Sequence, residues 1–181
     1  NENKIFRQKC KENGVNPILS TGLNMKSEWH SPKDGVPPYL HICPDGLDPN
    51  EEAPVMVILH DSDRFLKQGA DQHESSIESM PIVTALVNGQ EVTMTGEELS
   101  QWNGHIIVPQ THHSWEGDAA TNAAKMNEVT AALDDLSSHY KIDKDNIAMV
   151  GLSAGGAGAL MFGDLYNDYQ SKYKLSSVTT F

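Results

Sequence analysis

The sequence has little positive charge, few cysteines and no long hydrophobic segment. Its 181 residues carry 13 lysine and arginine side chains against 25 aspartates and glutamates, a net charge of −12 at pH 7 with neutral histidines. A chain this acidic has no basic face for a phosphate backbone, so we exclude nucleic-acid binding. The longest aliphatic run, 55–59, is far shorter than the roughly 20 apolar residues of a membrane span. We therefore predict no transmembrane segment.

The cysteines and histidines predict no metal site or cofactor. Cys10 and Cys43 are consistent with one disulfide or with two free thiols, because a single pair is not a disulfide framework. The C-x-x-C spacing of a metal or redox motif is absent. His112 and His113 are adjacent, but side chains at i and i+1 diverge, and no cysteine or carboxylate lies at ligand spacing beside them.

The pattern of apolar residues predicts an α/β domain with a mostly parallel sheet. Short apolar runs predict strands, and the run at 55–59 is typical of a strand buried on both faces. From Met126 to Tyr140, apolar residues recur at spacings of three and four, which is one face of a helix. Alternating strands and helices form right-handed βαβ units. The predicted strands are 39–43, 55–59, 105–108, 147–150 and 175–181, with helices from Ala119 to Tyr140 and at 154–166.

The length fits one domain, which we divide into three regions. Residues 1–35 are polar and interrupted by glycine and proline, so we predict an N-terminal extension. Residues 36–181 form the α/β domain, and 61–103 is an insertion after its first buried strand. Within the insertion, alternation over 82–95 around Asn88-Gly89 predicts a β-hairpin.

A G-x-S-x-G motif lies between a predicted strand and a predicted helix, at Gly151-Leu152-Ser153-Ala154-Gly155. In this context the serine sits in a sharp, strained turn with its hydroxyl exposed. The N-terminus of the following helix stabilises negative charge on a carbonyl oxygen bound there. The motif therefore predicts Ser153 as a nucleophile and the Ala154 N–H as an oxyanion donor.

Residues 37–181 resemble the α/β-hydrolase superfamily, and within it the esterases grouped with polyhydroxybutyrate depolymerases and feruloyl esterases. The most specific part is the run from Leu133 through I-D-K-D-N-I at 142–147 to the serine motif. The resemblance implies a secreted or cell-surface hydrolase of carboxylic esters with Ser153 as nucleophile. It also implies a second oxyanion donor after the first buried strand, which we place at the Ser62 N–H.

Two features depart from the family pattern. The family strand ends in His-Gly, whereas this one ends in His60-Asp61, which places a negative charge near the expected oxyanion. In the family the triad follows the order serine, acid, histidine. Here all eight histidines precede Ser153, and only Asp164 and Asp168 follow it, in or just after the predicted helix.

Three explanations for the missing base stay open. In the first, the triad acid and histidine lie beyond Phe181, on a C-terminal segment or a second chain, and this chain alone is inactive. In the second, the domain is a catalytically inactive binding or structural module of a larger surface assembly, which Asp61 favours. In the third, a histidine near the site serves as base. His60, His112 and His113 fall at or beyond the carboxyl ends of predicted strands, where parallel sheets bind ligands.

Overall fold

The structure, a computed structural model, describes residues 17–19, 24–64, 74–88, 92–93, 102–112, 115, 119–169 and 172–180. Its strands are β1 (Pro17–Leu19), β2 (Met25–His30), β3 (Tyr39–Pro44), β4 (Ala53–Leu59), β5 (Val92–Thr93), β6 (His105–Pro109), β7 (Ile142–Gly151) and β8 (Leu175–Thr180). Its helices are α1 (Glu74–Glu78), α2 (Pro81–Val87), α3 (Ala119–His139) and α4 (Ala154–Tyr169). Six of the strands form one sheet in the order β2-β3-β6-β4-β7-β8, and β1 pairs with β5 separately.

The sheet is mostly parallel, as the apolar pattern predicts. Strands β6, β4, β7 and β8 run parallel, whereas β2 and β3 are antiparallel to their neighbours. Strand β4 lies inside the sheet, and its aliphatic run is unbroken because both of its faces are buried. Val55, Val57 and Leu59 pack into the core on one face, while Met56 and Ile58 pack into the core on the other.

Helices cover both faces of the sheet. Met126, Val129, Leu133 and Leu136 of α3 pack on one face, so the predicted apolar stripe is confirmed. Helix α4 packs on the same face, whereas α1 and α2, both within 61–103, pack on the opposite one. None of the helices that the structure describes is long and apolar enough to cross a membrane.

The predicted hairpin over 82–95 is wrong in its first half. Residues 81–87 form α2, which begins with Pro81 and ends before Asn88. Proline suits the first turn of a helix because its missing N–H would have no partner there. Ile82, Val83 and Leu86 then bury one helical face against the sheet. The burial of this face stabilises the helix more than the turn propensity of Asn88-Gly89 stabilises a hairpin. Strand β5 pairs with β1 instead.

The predicted N-terminal extension contributes a strand to the main sheet. Residues 25–30 form β2, which pairs antiparallel with β3 along its whole length, from Met25 opposite Pro44 to His30 opposite Tyr39. Trp29 and Met25 pack against the core. The division at residue 35 stays a prediction, and residues 1–16 lie outside the described residues.

Candidate active site

Ser153 occupies the turn between β7 and α4 and has a left-handed backbone. Its φ of 52° is the only positive φ at a non-glycine residue in the part of the chain that the structure describes. This conformation costs on the order of 1–3 kcal/mol, so it persists only where the surroundings impose it. The Ser153 side chain is exposed to solvent. The turn therefore presents a hydroxyl at the carboxyl end of the parallel strands, as the sequence motif predicts.

Two glycines allow the turn to close tightly against its neighbours. A Cβ atom on Gly151 would overlap the carbonyl oxygen of Gly155. A Cβ atom on Gly155 would overlap the carbonyl oxygen of Leu59 and lie 2.7 Å from that of His60. The Leu152 N–H donates to the Leu59 carbonyl oxygen at 3.1 Å. The turn thus rests directly on the end of β4, where the segment 60–62 begins.

The N-terminus of α4 follows Ser153 immediately. Ala154 is the first helical residue, so its N–H is among those with no carbonyl partner inside the helix. The Gly155 and Gly156 N–H groups donate to the carbonyl oxygens of Leu152 and Ser153, both at 2.8 Å. These two hydrogen bonds use the N–H groups of Gly155 and Gly156. The Ala154 N–H therefore stays a candidate donor to an oxyanion.

The turn after β4 neutralises the charge of Asp61. Its carboxylate forms an ion pair with Arg64 and accepts a hydrogen bond from the Asp63 N–H at 3.1 Å. The Arg64 Nε–H also donates to the carbonyl oxygen of Ser76 at 2.9 Å, which ties the turn to α1. Ser62 is exposed at the top of this turn. The carboxylate beside the candidate site is thus compensated by a neighbouring guanidinium.

His60 is fully buried and both of its ring nitrogens have partners. Nδ1 lies 2.7 Å from the Asp61 carbonyl oxygen, so it carries the proton and donates. Nε2 then accepts from the backbone N–H and the hydroxyl of Thr111, each at 3.3 Å. Burial lowers the pKa of His60, so the ring is neutral. His60 therefore joins the segments after β4 and β6, and its ring is not free to take a proton from Ser153.

The other site-lining histidine that the structure describes is held by α3. The His112 backbone N–H donates to Glu128 Oε2 at 2.9 Å, and its Nδ1 lies 3.4 Å from Glu128 Oε1. The ring is exposed. His113 lies outside the described residues.

No general base contacts Ser153 in the part of the chain that the structure describes. Asp164 lies within α4, 11 positions after Ser153, which places it about 16 Å along the helix axis at 1.5 Å per residue. The side chain of Asp168 lies outside the described residues. Among the described residues, the exposed serine turn and the adjacent helix N-terminus therefore lie without an acid and a base in contact with Ser153.

Three residues support this site through hydrogen bonds or an ion pair that are not predicted from the sequence. Arg64 pairs with Asp61, Thr111 binds His60, and the Trp115 indole N–H donates to the His60 carbonyl oxygen at 2.8 Å. The i, i+3 spacing of Asp61 and Arg64 in a polar turn is a signal that could have indicated their ion pair. Thr111 and Trp115 carry no such local signal, because they are more than 50 positions from His60.

Comparisons with known proteins identify the fold. No protein-family model matches the sequence, and no curated protein is similar to it. A solved structure described as m3DLH matches 87% of this chain and 59% of its own length, with 17% identity and a TM-score of 0.54. A dienelactone hydrolase-like promiscuous phosphotriesterase from metagenomic libraries matches the same shares, with 16% identity and a TM-score of 0.51. The chain therefore has the α/β-hydrolase fold and spans about three fifths of these structures.

A ferulic acid esterase from the anaerobic fungus Anaeromyces mucronatus is a more distant match. It is 20% identical over 87% of this chain and 57% of its own, with a TM-score of 0.45. The narrower resemblance to polyhydroxybutyrate depolymerases and feruloyl esterases stays a prediction.

Proposed function

We propose that this chain carries the nucleophile and oxyanion donors of a serine carboxylic ester hydrolase. Ser153 Oγ attacks the ester carbonyl carbon while its proton passes to a histidine. The alkoxide then leaves as the alcohol, with the proton that the histidine returns, and water hydrolyses the acyl-enzyme. The single observation that carries this proposal is the exposed, left-handed Ser153 at the strand-to-helix turn of an α/β-hydrolase sheet.

The backbone around Ser153 suits an oxyanion. The Ala154 N–H at the start of α4 and the Ser62 N–H after β4 are the proposed donors, and the close approach of Gly155 to the end of β4 brings the two segments together. The Asp61–Arg64 ion pair removes the electrostatic objection to an oxyanion at this place. It also weakens the argument from the charge of Asp61 for an inactive module.

The triad acid and histidine are proposed to come from residues that follow Phe181 on the same polypeptide or on a second one. His60 supports this, because both of its ring nitrogens are bound. His112 directs only Nδ1 towards Glu128, so a base from this histidine stays the alternative. The matched structures are also longer than this chain. A serine hydroxyl without a base is a poor nucleophile, so the chain alone is expected to be inactive.

A fluorophosphonate probe tests the assignment of Ser153. The probe is applied to the full-length protein that contains this chain, and the modified peptide is found by mass spectrometry. We expect one adduct, on the peptide that carries Ser153, because only a serine activated by a base reacts quickly with the probe. The isolated 181-residue chain should react far more slowly.

The matched control is Ser138→Ala, which removes an exposed serine at the end of α3. This variant should label like the unmodified protein, and Ser153→Ala should not label. An adduct on a different residue would refute the nucleophile assignment. A full-length protein that gives neither an adduct nor turnover of p-nitrophenyl esters would refute the proposed hydrolase and match the expectation for an inactive module.

The Asp61–Arg64 ion pair leads to a second expected result. Arg64→Gln leaves the Asp61 carboxylate without its guanidinium beside the developing oxyanion, so the rate of fluorophosphonate labelling should fall about tenfold, equivalent to about 1.4 kcal/mol. The double variant Asp61→Asn/Arg64→Gln removes the charge as well and should recover most of the rate. Both variants lose the Arg64 contact to Ser76, so the comparison isolates the charge. Equal rates in the single and double variants would contradict this role.

A further inference from the structure

A cluster of metal-binding side chains lies in the antiparallel half of the sheet, away from Ser153. His41, Cys43 and His105 each place one donor atom within 4.8 Å of the other two. All three residues are buried, at 2%, 1% and 0% exposure, and Cys43 forms no disulfide. The function proposed above uses none of them.

Strand pairing brings these residues together. His41 and Cys43 lie two positions apart on β3, so their side chains point to the same face of the sheet. In the register between β3 and β6, His41 is opposite Ile107 and Ile42 is opposite Ile106. Continuing the register by one residue places Cys43 opposite His105. A thiol and an imidazole are therefore direct cross-strand neighbours, with a second imidazole next to them.

His41 and His105 are neutral, and one of their four ring nitrogens is buried with no hydrogen-bond partner among the described residues. His41 Nε2 and His105 Nδ1 are 2.9 Å apart, so they share one proton in a hydrogen bond. His105 Nε2 is buried and has no hydrogen-bond partner in the part of the chain that the structure describes. Burial lowers the pKa of His41 to about 3 and that of His105 to about 4. Neutral imidazole is the form that binds metals.

We propose that His41, Cys43 and His105 bind a structural Zn²⁺ ion. Two imidazole nitrogens and one thiolate form a donor set that zinc prefers. At Zn–N distances of about 2.0–2.1 Å and a Zn–S distance of about 2.3 Å, tetrahedral ligands lie about 3.3–3.6 Å apart. The donor atoms here lie within 4.8 Å of one another, and the hydrogen bond between His41 Nε2 and His105 Nδ1 must open to admit the ion, so side-chain rotations are needed to form the site.

Strand β2, beside the cluster, carries one negative and one positive side chain opposite its residues. Glu28 is opposite His41 on β2, and its carboxylate lies within 4.8 Å of a donor atom of His41. Glu28 does not group with Cys43 or His105 in the same way, so the three buried residues are the proposed protein ligands and the fourth position is left for water. Lys26 is opposite Cys43, and its positive charge opposes a cation. The Cys43 thiolate offsets one of the two positive charges of Zn²⁺, and the Glu28 carboxylate lies near His41. Burial raises the pKa of the Cys43 thiol, so zinc releases its proton to solvent on binding.

The location makes this site structural. His105 begins β6, whereas the candidate active site lies at the carboxyl ends of the parallel strands, four residues or about 13 Å further along. A second group of donors, His30, Asp135 and His139, is a weaker candidate, because Asp135 already accepts hydrogen bonds from Lys33 and Tyr39, both at 2.8 Å.

Zinc binding by the full chain tests the proposal. The protein is dialysed against a chelator and then titrated with Zn²⁺ in competition with a chromophoric indicator. We expect one ion per chain with sub-micromolar affinity and a higher melting temperature when zinc is bound. Co²⁺ in place of Zn²⁺ should give the charge-transfer absorption of a cobalt–thiolate bond.

The matched controls are the two cysteine variants. Cys43→Ser should weaken zinc binding at least about a hundredfold and abolish the cobalt–thiolate absorption, whereas Cys10→Ser should change neither. Circular dichroism of both metal-free variants checks that they fold, and His105→Gln repeats the test at a second ligand. Absence of zinc binding, equal binding by both cysteine variants, or binding of Cu⁺ without Zn²⁺ would overturn the proposal. None of these outcomes depends on ester hydrolysis.

Discussion

Replacing Ser153 with alanine is expected to lower kcat of the full-length protein for p-nitrophenyl esters by a factor on the order of 10⁴ to 10⁶. The hydroxyl forms the covalent bond in the proposed reaction, so the remaining turnover would come from the oxyanion donors and substrate binding alone. The KM should change little, because the side chain is small and exposed. The measurement is steady-state kinetics on purified protein. A loss of less than tenfold would exclude Ser153 as nucleophile.

A glycine variant at the same position separates the chemistry from the backbone strain. Ser153→Gly and Ser153→Ala both lack the hydroxyl, so both should be inactive. Glycine adopts a φ of 52° without a Cβ clash, whereas alanine does not. The glycine variant should therefore be more stable than the alanine variant by about 1 kcal/mol in urea unfolding. Equal stabilities would show that the turn is not strained.

Gly155→Ala is expected to destabilise the fold by about 3 kcal/mol or more and to abolish fluorophosphonate labelling. The new Cβ would overlap the Leu59 carbonyl oxygen and crowd that of His60. Both are backbone atoms of β4 or its end, so neither can move aside as a flexible side chain would. Either α4 separates from β4 or the turn at Ser153 opens. The free energy of unfolding and the labelling rate report the two effects.

Gly163→Ala, in the same helix, is the matched control. Its Cβ would have Val178 Cγ2 at 3.7 Å as its nearest neighbour, an ordinary contact, and residue 163 is exposed. Alanine favours a helix interior over glycine by up to about 1 kcal/mol. This substitution should therefore stabilise the protein slightly and leave labelling unchanged. The same substitution would then have opposite effects at two positions of α4. Similar losses at both would mean that glycine at 155 is not needed for close packing.

Local patterns along the chain predict the fold and the strand-to-helix turn at Ser153 well. The aliphatic run of β4 indicates a strand buried on both faces, and the spacing from Met126 to Leu136 indicates a helix against the sheet. Each pattern reflects the burial of a single element, so the spacing of apolar residues within that element is enough to predict it. The G-x-S-x-G motif likewise predicts the turn at Ser153, because glycine spacing within five residues encodes its backbone.

The local approach fails where a distant contact decides the outcome. Asn88-Gly89 is a strong turn signal, yet residues 81–87 become a helix because the sheet offers an apolar face for Ile82 and Leu86 to cover. Asp61 reads as an unfavourable charge until Arg64 is seen to pair with it. His60 reads as a candidate base until Thr111, far along the chain, binds its second nitrogen.

By itself, the sequence determined the α/β class, the order of its strands and helices along the chain and the position of the serine turn. These features depend on periodicity and on residues close together in the chain. The tertiary structure alone decided that both ring nitrogens of His60 are bound and that donor atoms of Cys43 and His105, 62 positions apart in the sequence, lie within 4.8 Å of each other. Strand register sets these neighbours, and it follows from how the whole sheet buries its two faces rather than from any short segment. The low content of cysteine and the absence of ligand spacing therefore excluded a local metal motif, and left open a site assembled by pairing of strands.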